Sequence, residues 1–324
     1  MVHRSGSLPL YNVRPLSPTV TDPDVISENG SVCSGALKDS RVSWVLAHLL
    51  EMEALKGKKR LRSGEEGGCI AQRDQILSRM TAGRRNGILD AVPALLDKAE
   101  RLGIKMVHPE SPDYPALLSG LSTPPFLLWA RGEMAALERP AIAMVGAREA
   151  GLSALEGFSA LSREIVSLGW TVVSGLARGM DGAAHRGALF LDGRTVAVVG
   201  TGLDRIYPPE HGGLEREIRS RGGAILSEFS PGEGPEGWHF PHRNRMIVGL
   251  SMAVVVGAHR RRSGTYVTAR IALEEGREVF VFDGGTTGWE KEGPDLLLGE
   301  GARRVESALD IVRALTPGGR KGQL

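Results

Sequence analysis

Between Ala141 and Phe282 short, unbroken apolar runs alternate with amphipathic stretches. The runs are AIAMVGA, TVVSGLA, TVAVVGTG, AILSEF, MAVVVGA and EVFVFDGG. The stretches between them include LEGFSALSREIVSLG, MDGAAHRGALFLDG, LEREIRSRGG, RNRMIVGLS and TYVTARIALEEG. Strands separated by helices of about 10–15 residues build βαβ units, and βαβ units build a parallel sheet. Apolar runs without polar alternation mark strands buried on both faces, so helices are expected on both faces of the sheet. The predicted class is α/β.

Upstream, IKMVHPESPDYPALLSGLSTPPFLLWARG breaks its apolar runs with prolines and reads as strand, turn, short helix, strand. Before it the period is helical: VSWVLAHLLEMEAL, a Gly-rich basic break at KGKKRLRSGEEGG, then IAQRDQILSRM and ILDAVPALLDKAERLG. The first 40 residues are rich in Ser, Pro, Gly, Asn and Asp without sustained period. The expected division is a disordered leader over 1–40, a small helical module over 41–107, the α/β domain over 108–312 and a flexible tail over 313–324.

Composition narrows the function classes. The 324 residues suit about two domains, and the longest apolar runs fall well short of the ~18 residues of a membrane helix. A membrane protein is excluded. Cys33 and Cys69 lie in poorly patterned stretches and no secretory leader opens the chain, which points to a reducing cytoplasm. A net charge of +2 does not announce nucleic acid, and 5% aromatic residues argue against a surface built mainly for base stacking. Any polyanion site must be local and must read phosphates.

Ligands of open parallel sheets bind outside the carboxyl ends of the strands. Gly146-Ala147-Arg148 follows AIAMV; Gly175-Leu176-Ala177-Arg178-Gly179 follows TVVS; Gly200-Thr201-Gly202 follows TVAVV; Ser263-Gly264-Thr265 opens a helix soon after MAVVV and Gly257. Glycine lets backbone N–H groups approach an anion, a helix N-terminus adds partial positive charge, and arginine offers a planar fork. Any one such glycine is equally well a turn; together they describe a phosphate-reading crevice. G-x-G-x-x-G fails because Arg205 stands at its third glycine, and no Gly-Lys-Ser/Thr occurs, so no dinucleotide or NTP cofactor is expected. Residues 140–285 hold 16 arginines, 16 acidic residues and no lysine, so the placement of arginine decides. Arg148, Arg178, Arg243 and Arg245 stand out, the last two bracketing Asn244 in FPHRNRMI just ahead of a helix. Each alone would more often be a structural ion pair.

Other groups carry less. His239 and His242 lack a companion ligand set, so no metal is expected. Ser174, Asp181 and His185 lack a G-x-S-x-G elbow, and Asp181 reads as an N-cap. Arg260-Arg261-Arg262 is either a solvated loop or a clamp beside the crevice, and Lys56, Lys58, Lys59, Arg60 and Arg62 either a solvated linker or a second polyanion contact.

At these motifs the sequence resembles the DNA-processing protein A family, also called Smf. The matching segments are YPALL at 114–118, PPFLLWARG at 124–132, VGAR at 145–148, SGLARGMDGAAHRGAL at 174–189, GTGLDRIYP at 200–208, LSEF at 226–229, FPHRNRMIVGLS at 240–251, SGTYVTARIALEEGREVFVF at 263–282 and GPDLLLGEGARRV at 293–305. The resemblance implies an extended Rossmann-like sheet, a homodimer, and a pocket that grips single-stranded DNA, protects it and helps load the RecA recombinase in natural transformation. Carried over by position, the contacting residues are Gly146 and Arg148; Ser174, Gly175, Arg178 and Gly179; Gly200 and Gly202; Arg243, Asn244 and Arg245; and Ser263, Gly264 and Thr265. Tyr207, Phe240 and Tyr266 are the aromatics expected near them. No catalytic constellation is recognised. The alternative is a Rossmann-like enzyme or sensor for a free nucleotide, of whose Gly-rich loop Asp283-Gly284-Gly285 is a faint echo. The chain departs from the family pattern at Gly257, at Asp283 and at His211.

Overall fold

The computed structural model describes residues 40–56, 82–191 and 193–316. The expected leader up to residue 39, IAQRDQILSRM, Lys58, Lys59, Arg60, Arg62 and both cysteines lie outside the described residues.

One sheet holds nine strands among the described residues, in the order β1-β2-β6-β5-β4-β3-β7-β8-β9. They are β1 (Lys105–Val107), β2 (Leu128–Gly132), β3 (Ala141–Val145), β4 (Thr171–Ser174), β5 (Thr195–Val199), β6 (Ala224–Ser227), β7 (Ala253–Val256), β8 (Glu278–Val281) and β9 (Arg303–Arg304). From β6 to β9 every neighbour pair is parallel, as the βαβ reading predicts. The other end differs from a purely parallel sheet: β2 runs antiparallel to β6, and β1 antiparallel to β2. Prolines at 109, 112, 115, 124 and 125 leave room between β1 and β2 for only the 3₁₀ turn Ala116–Gly120. Without a crossover helix a strand returns antiparallel.

The helices are α1 (Ser40–Lys56), α2 (Ala82–Arg101), α3 (Leu152–Ser167), α4 (Met180–Phe190), α5 (Gly212–Ser220), α6 (His239–Gly249), α7 (Gly264–Glu274), α8 (Glu292–Gly299) and α9 (Ala308–Leu315). Two boundaries shift from the sequence division. β1 already belongs to the sheet, through Val107 opposite Leu128, so the sheet begins within the stretch assigned to the helical module. The expected tail from residue 313 begins as helix: a Ser307–Asp310 capping box starts α9, and Ala314 and Leu315 pack against apolar side chains that α9 shares with α3.

Strand alternation assigns the helices to faces. In β3, Ala141, Ala143 and Val145 face α6, α7 and α8 with Met246, Ile247, Ala269 and Leu297; Ile142 and Met144 face α3, α4 and α9 with Phe158, Ala184 and Ile311. Val254 and Val256 of β7 repeat the first orientation, Ala253 and Val255 the second. A third cluster joins Trp129, Ala197 and Ile225 to Val45 of α1, Val92 and Ala99 of α2 and Ile218 of α5. Trp44 of α1 stacks on His108 with ring centroids 5.7 Å apart, fastening the helix to the chain just after β1. From β3 the chain moves outward through β4, β5 and β6, then returns to place β7 on the other flank of β3. The loops after β3 and β7 therefore diverge, and the crevice between them is the switch point of the sheet.

Candidate functional site

The loop after β3 is pinned on both sides. Ala147 N–H donates to the Ala258 carbonyl (2.7 Å) after β7, and Met180 N–H at the start of α4 donates to the Ala147 carbonyl (3.0 Å). Glycine is required where these segments meet. Gly179 has φ +68°, and a Cβ there would stand 2.4 Å from the Ala147 carbonyl oxygen. Gly257, one of the departures from the family pattern, has Met180 Cε only 2.3 Å from where a Cβ would stand.

Between the two loops opens a crevice of about 670 Å³. Its lining includes Gly146, Arg148, Arg243, Asn244, Ser263, Gly264 and Thr265 from the expected set, with Asp181, Phe240, Arg260, Arg262 and Trp289. A smaller adjoining recess of about 50 Å³ adds Gly175, Arg178, Gly200 and Tyr207, and shares Arg148, Phe240 and Arg243 with the first.

Arg243 is the buried cation of the site. Its Nη1 donates to the Gly175 carbonyl (2.8 Å), beyond β4, and to the Val198 carbonyl of β5, while Nε donates to Asn244 Oδ1 (3.2 Å). Across the Cα of Gly175 it faces Asp181: a Cβ on that glycine would lie 2.6 Å from Asp181 Oδ2 and 2.7 Å from Arg243 Nη2. Burial pushes the Asp181 carboxyl up, opposed by Arg243 and by backbone N–H groups, and burial pulls Arg243 down to about 10 with the Arg148 charge adding to the fall. Asp181 is not the N-cap of α4, a place held by Gly179; it sits in the first turn and accepts from Gly175 N–H (3.1 Å). Arg243 thus braces the strand ends with most of its donors, and Asp181 holds the β4 loop.

The exposed cations are differently placed. Arg148 projects from the loop after β3 with its guanidinium 5.2 Å over the Phe240 ring, and Phe240 packs on Tyr207 at 5.6 Å. Arg260, from the loop after β7, lies 4.5 Å over Trp289. Among the described residues neither Arg148, Arg260 nor Arg262 forms an ion pair with a carboxylate. Arg178 does, with Glu210, and that carboxylate holds its pKa up. Ser263 caps α7 by accepting from Tyr266 N–H (3.2 Å), which leaves Gly264 and Thr265 to present the open helix end to the crevice.

Four expected residues lie outside both cavities. Ser174 is fully buried and its hydroxyl donates to the Met144 carbonyl (2.6 Å). Gly202 packs on the 230–233 turn, its N–H donating to Glu233 O (2.9 Å). Gly179 is the glycine packed against the Ala147 carbonyl, as described above. Arg245 turns away to Glu228 and the Thr123 carbonyl, while His242 Nε2 stands 3.0 Å from the other Glu228 oxygen. The FPHRNRMI segment is the body of α6 itself, with Pro241 tolerated in its first turn, so residues two apart point to opposite sides. Tyr266 also lies off the crevice, donating to Glu300 (2.9 Å). His239 donates Nδ1–H to the Gly200 carbonyl (2.9 Å), and His211 Nδ1 lies 2.9 Å from the carbonyl of Leu176, a residue at φ +57°. His185, buried at Thr195, has its pKa depressed by burial to about 3 and stays neutral. Trp289 was not expected; an aromatic placed directly after a Gly-rich strand-end loop was the available signal.

No helix among the described residues is long and apolar enough to cross a membrane. The family model for DNA recombination-mediator protein A matches residues 105–316. DNA processing protein DprA of Bacillus subtilis is 36% identical over 244 residues, 75% of this chain and 82% of that one. Protein Smf of Escherichia coli is 39% identical over 210 residues, 65% of this chain and 56% of that one. An X-ray structure of DNA processing protein A from Streptococcus pneumoniae aligns with TM-score 0.62 at 29% identity, over 84% of this chain and 94% of that one. A Helicobacter pylori structure, concerned with the single-stranded DNA binding mode of its DNA processing protein A, aligns with TM-score 0.59 at 28% identity, over 65% of this chain and 95% of that one. With the match beginning at β1 and ending after α9, this chain belongs to the DNA recombination-mediator protein A family, the DprA/Smf DNA-processing proteins.

Proposed function

We propose that the crevice at the β3/β7 switch point holds the backbone of single-stranded DNA with little sequence preference. The observation that carries this reading is the convergence of Arg148, Arg260 and Arg262, uncommitted to carboxylates among the described residues, on one crevice that also receives the open N-terminus of α7. Backbone N–H groups and planar guanidinium forks suit phosphates, while Phe240 beside Tyr207 offers a base one stacking face. The single-stranded DNA binding of the Helicobacter pylori relative supports the same ligand here. On this reading the protein is a cytoplasmic, non-catalytic homodimer that shelters a single strand and hands it to a RecA-type recombinase, in keeping with the recombination-mediator description of its family.

A salt titration of oligonucleotide binding tests the ligand. Log affinity should fall with log salt at about −0.7 per phosphate neutralised, and Arg148→Ala should weaken every sequence alike and flatten the slope by roughly 0.7. Unchanged affinity and slope in that variant would refute the crevice as the site. If mononucleotides raise the melting temperature while oligonucleotides do nothing, the nucleotide-enzyme reading replaces this one.

A further inference from the structure

We propose that Trp289, with Arg260 laid over it, is a second base-stacking position, so that the crevice clasps a single strand at two separated bases. The inference rests on the single-stranded DNA reading above.

The arrangement is symmetrical about the switch point. The two central strands, β3 and β7, each send one arginine outward onto an aromatic ring: Arg148 lies 5.2 Å over Phe240 and Arg260 lies 4.5 Å over Trp289. Phe240 stands against Gly200 at the end of β5, since a Cβ on Gly200 would be 3.4 Å from its ring. Trp289 lies in the loop that leaves β8. Both rings line the one crevice, Phe240 from α6 and Trp289 from the 3₁₀ turn after β8. Arg262 and the amino end of α7 line the same crevice and suit the phosphates between two stacked bases.

Trp289 is also built as a platform. It is half-buried, lines the crevice and belongs to none of the three apolar clusters, so core packing does not account for it. Its 3₁₀ turn, Gly288–Lys291, is closed by a Thr287–Glu290 capping box. The Glu290 carboxylate accepts from Gly151 N–H ahead of α3, and its carbonyl accepts from His259 N–H (3.2 Å) after β7. The turn that carries the ring is thereby fixed to the elements that bound the crevice. A rigid tryptophan gives a base a large stacking face at low entropic cost, and the guanidinium adds a second planar surface.

The test is binding of labelled dT12, followed by anisotropy, to the full chain and to Trp289→Ala, Trp289→Phe and Arg148→Ala. Trp289→Ala should bind roughly 5- to 150-fold more weakly, with Trp289→Phe recovering most of the loss. An abasic site scanned along the oligonucleotide should weaken the wild type at a position where it costs Trp289→Ala nothing. If Trp289→Ala binds as tightly as wild type while Arg148→Ala is weakened, the second position is refuted and the crevice reading survives; if neither weakens, both fail. Should Trp289→Ala melt early, the wild-type minus Trp289→Phe fluorescence difference decides: quenching by dT12 supports the stacking, and an unchanged signal overturns it.

Discussion

Replacing Arg243 by methionine tests whether the cation at the back of the crevice is a brace. The side chain is 5% exposed, donates to two main-chain carbonyls at the ends of β4 and β5, and faces the buried carboxylate of Asp181. Methionine fills a similar length but leaves Asp181 without its cation, a change that costs about 3–5 kcal/mol when one member of a buried charged pair is removed. For a domain of 150–250 residues each kcal/mol is about 2–4 °C, so Arg243→Met should lower the melting temperature by roughly 6–20 °C at pH 8. The pH dependence is the sharper signature. The native Asp181 pKa is already raised above its usual 3.8, and losing Arg243 raises it further. A carboxyl whose native pKa is raised binds its proton more readily folded than unfolded, so its penalty is full above the native pKa and fades as pH falls toward the unfolded value. The deficit of Arg243→Met should therefore shrink between pH 8 and pH 5, followed by calorimetry or urea unfolding. A variant melting within 2 °C of wild type at pH 8, or one whose deficit is the same at both pH values, would refute the bracing role.

Two further substitutions probe other links. Gly179→Ala must hold φ +68° and place a Cβ 2.4 Å from the Ala147 carbonyl oxygen, so it should lose at least about 2 kcal/mol and displace the Arg148 loop, weakening oligonucleotide binding; a stable variant with normal affinity would contradict this. His48 of α1 is fully buried, with Glu228, Glu233 and His242 facing it, and burial lowers its pKa despite the two carboxylates. Because the unfolded chain takes up that proton near pH 6.5 and the native state resists it, His48 destabilises the fold as pH falls below 6.5, and His48→Leu should flatten that fall. Parallel urea-midpoint profiles for the two proteins would count against it.

The parallel strands and their helices were legible because burial on both faces writes itself as unbroken apolar runs: AIAMV, followed by a glycine turn and an amphipathic helix, reads as a central strand, and its odd and even residues do serve opposite clusters. The direction of β1 and β2 was not legible, since strand polarity depends on the length and stiffness of the connection and on a partner, β6, far along the chain. At the site, the glycine and arginine signals marked strand ends that line the crevice but could not separate a crevice-facing cation from a brace. Arg148 and Arg243 look alike in sequence; what divides them is whether carbonyls from other strands converge on the guanidinium, as those of Gly175 and Val198 do on Arg243. Arg245 could have been set aside from helical geometry, given that two residues of α6 span about 200° of turn. Trp289 was hidden because its meaning comes from Arg260, on a different loop.

The two outermost strands of the sheet bear on how copies of the protein can meet. β1 has three residues and β9 two, and both residues of β9 are arginines, Arg303 bound to Glu278 and Arg304 to Asp283. Borders this brief, one of them charged throughout, give an approaching chain too little main chain to continue the ladder. Among the described strands the sheet closes itself to growth at either margin, so the homodimer proposed above would have to form through side-chain surfaces.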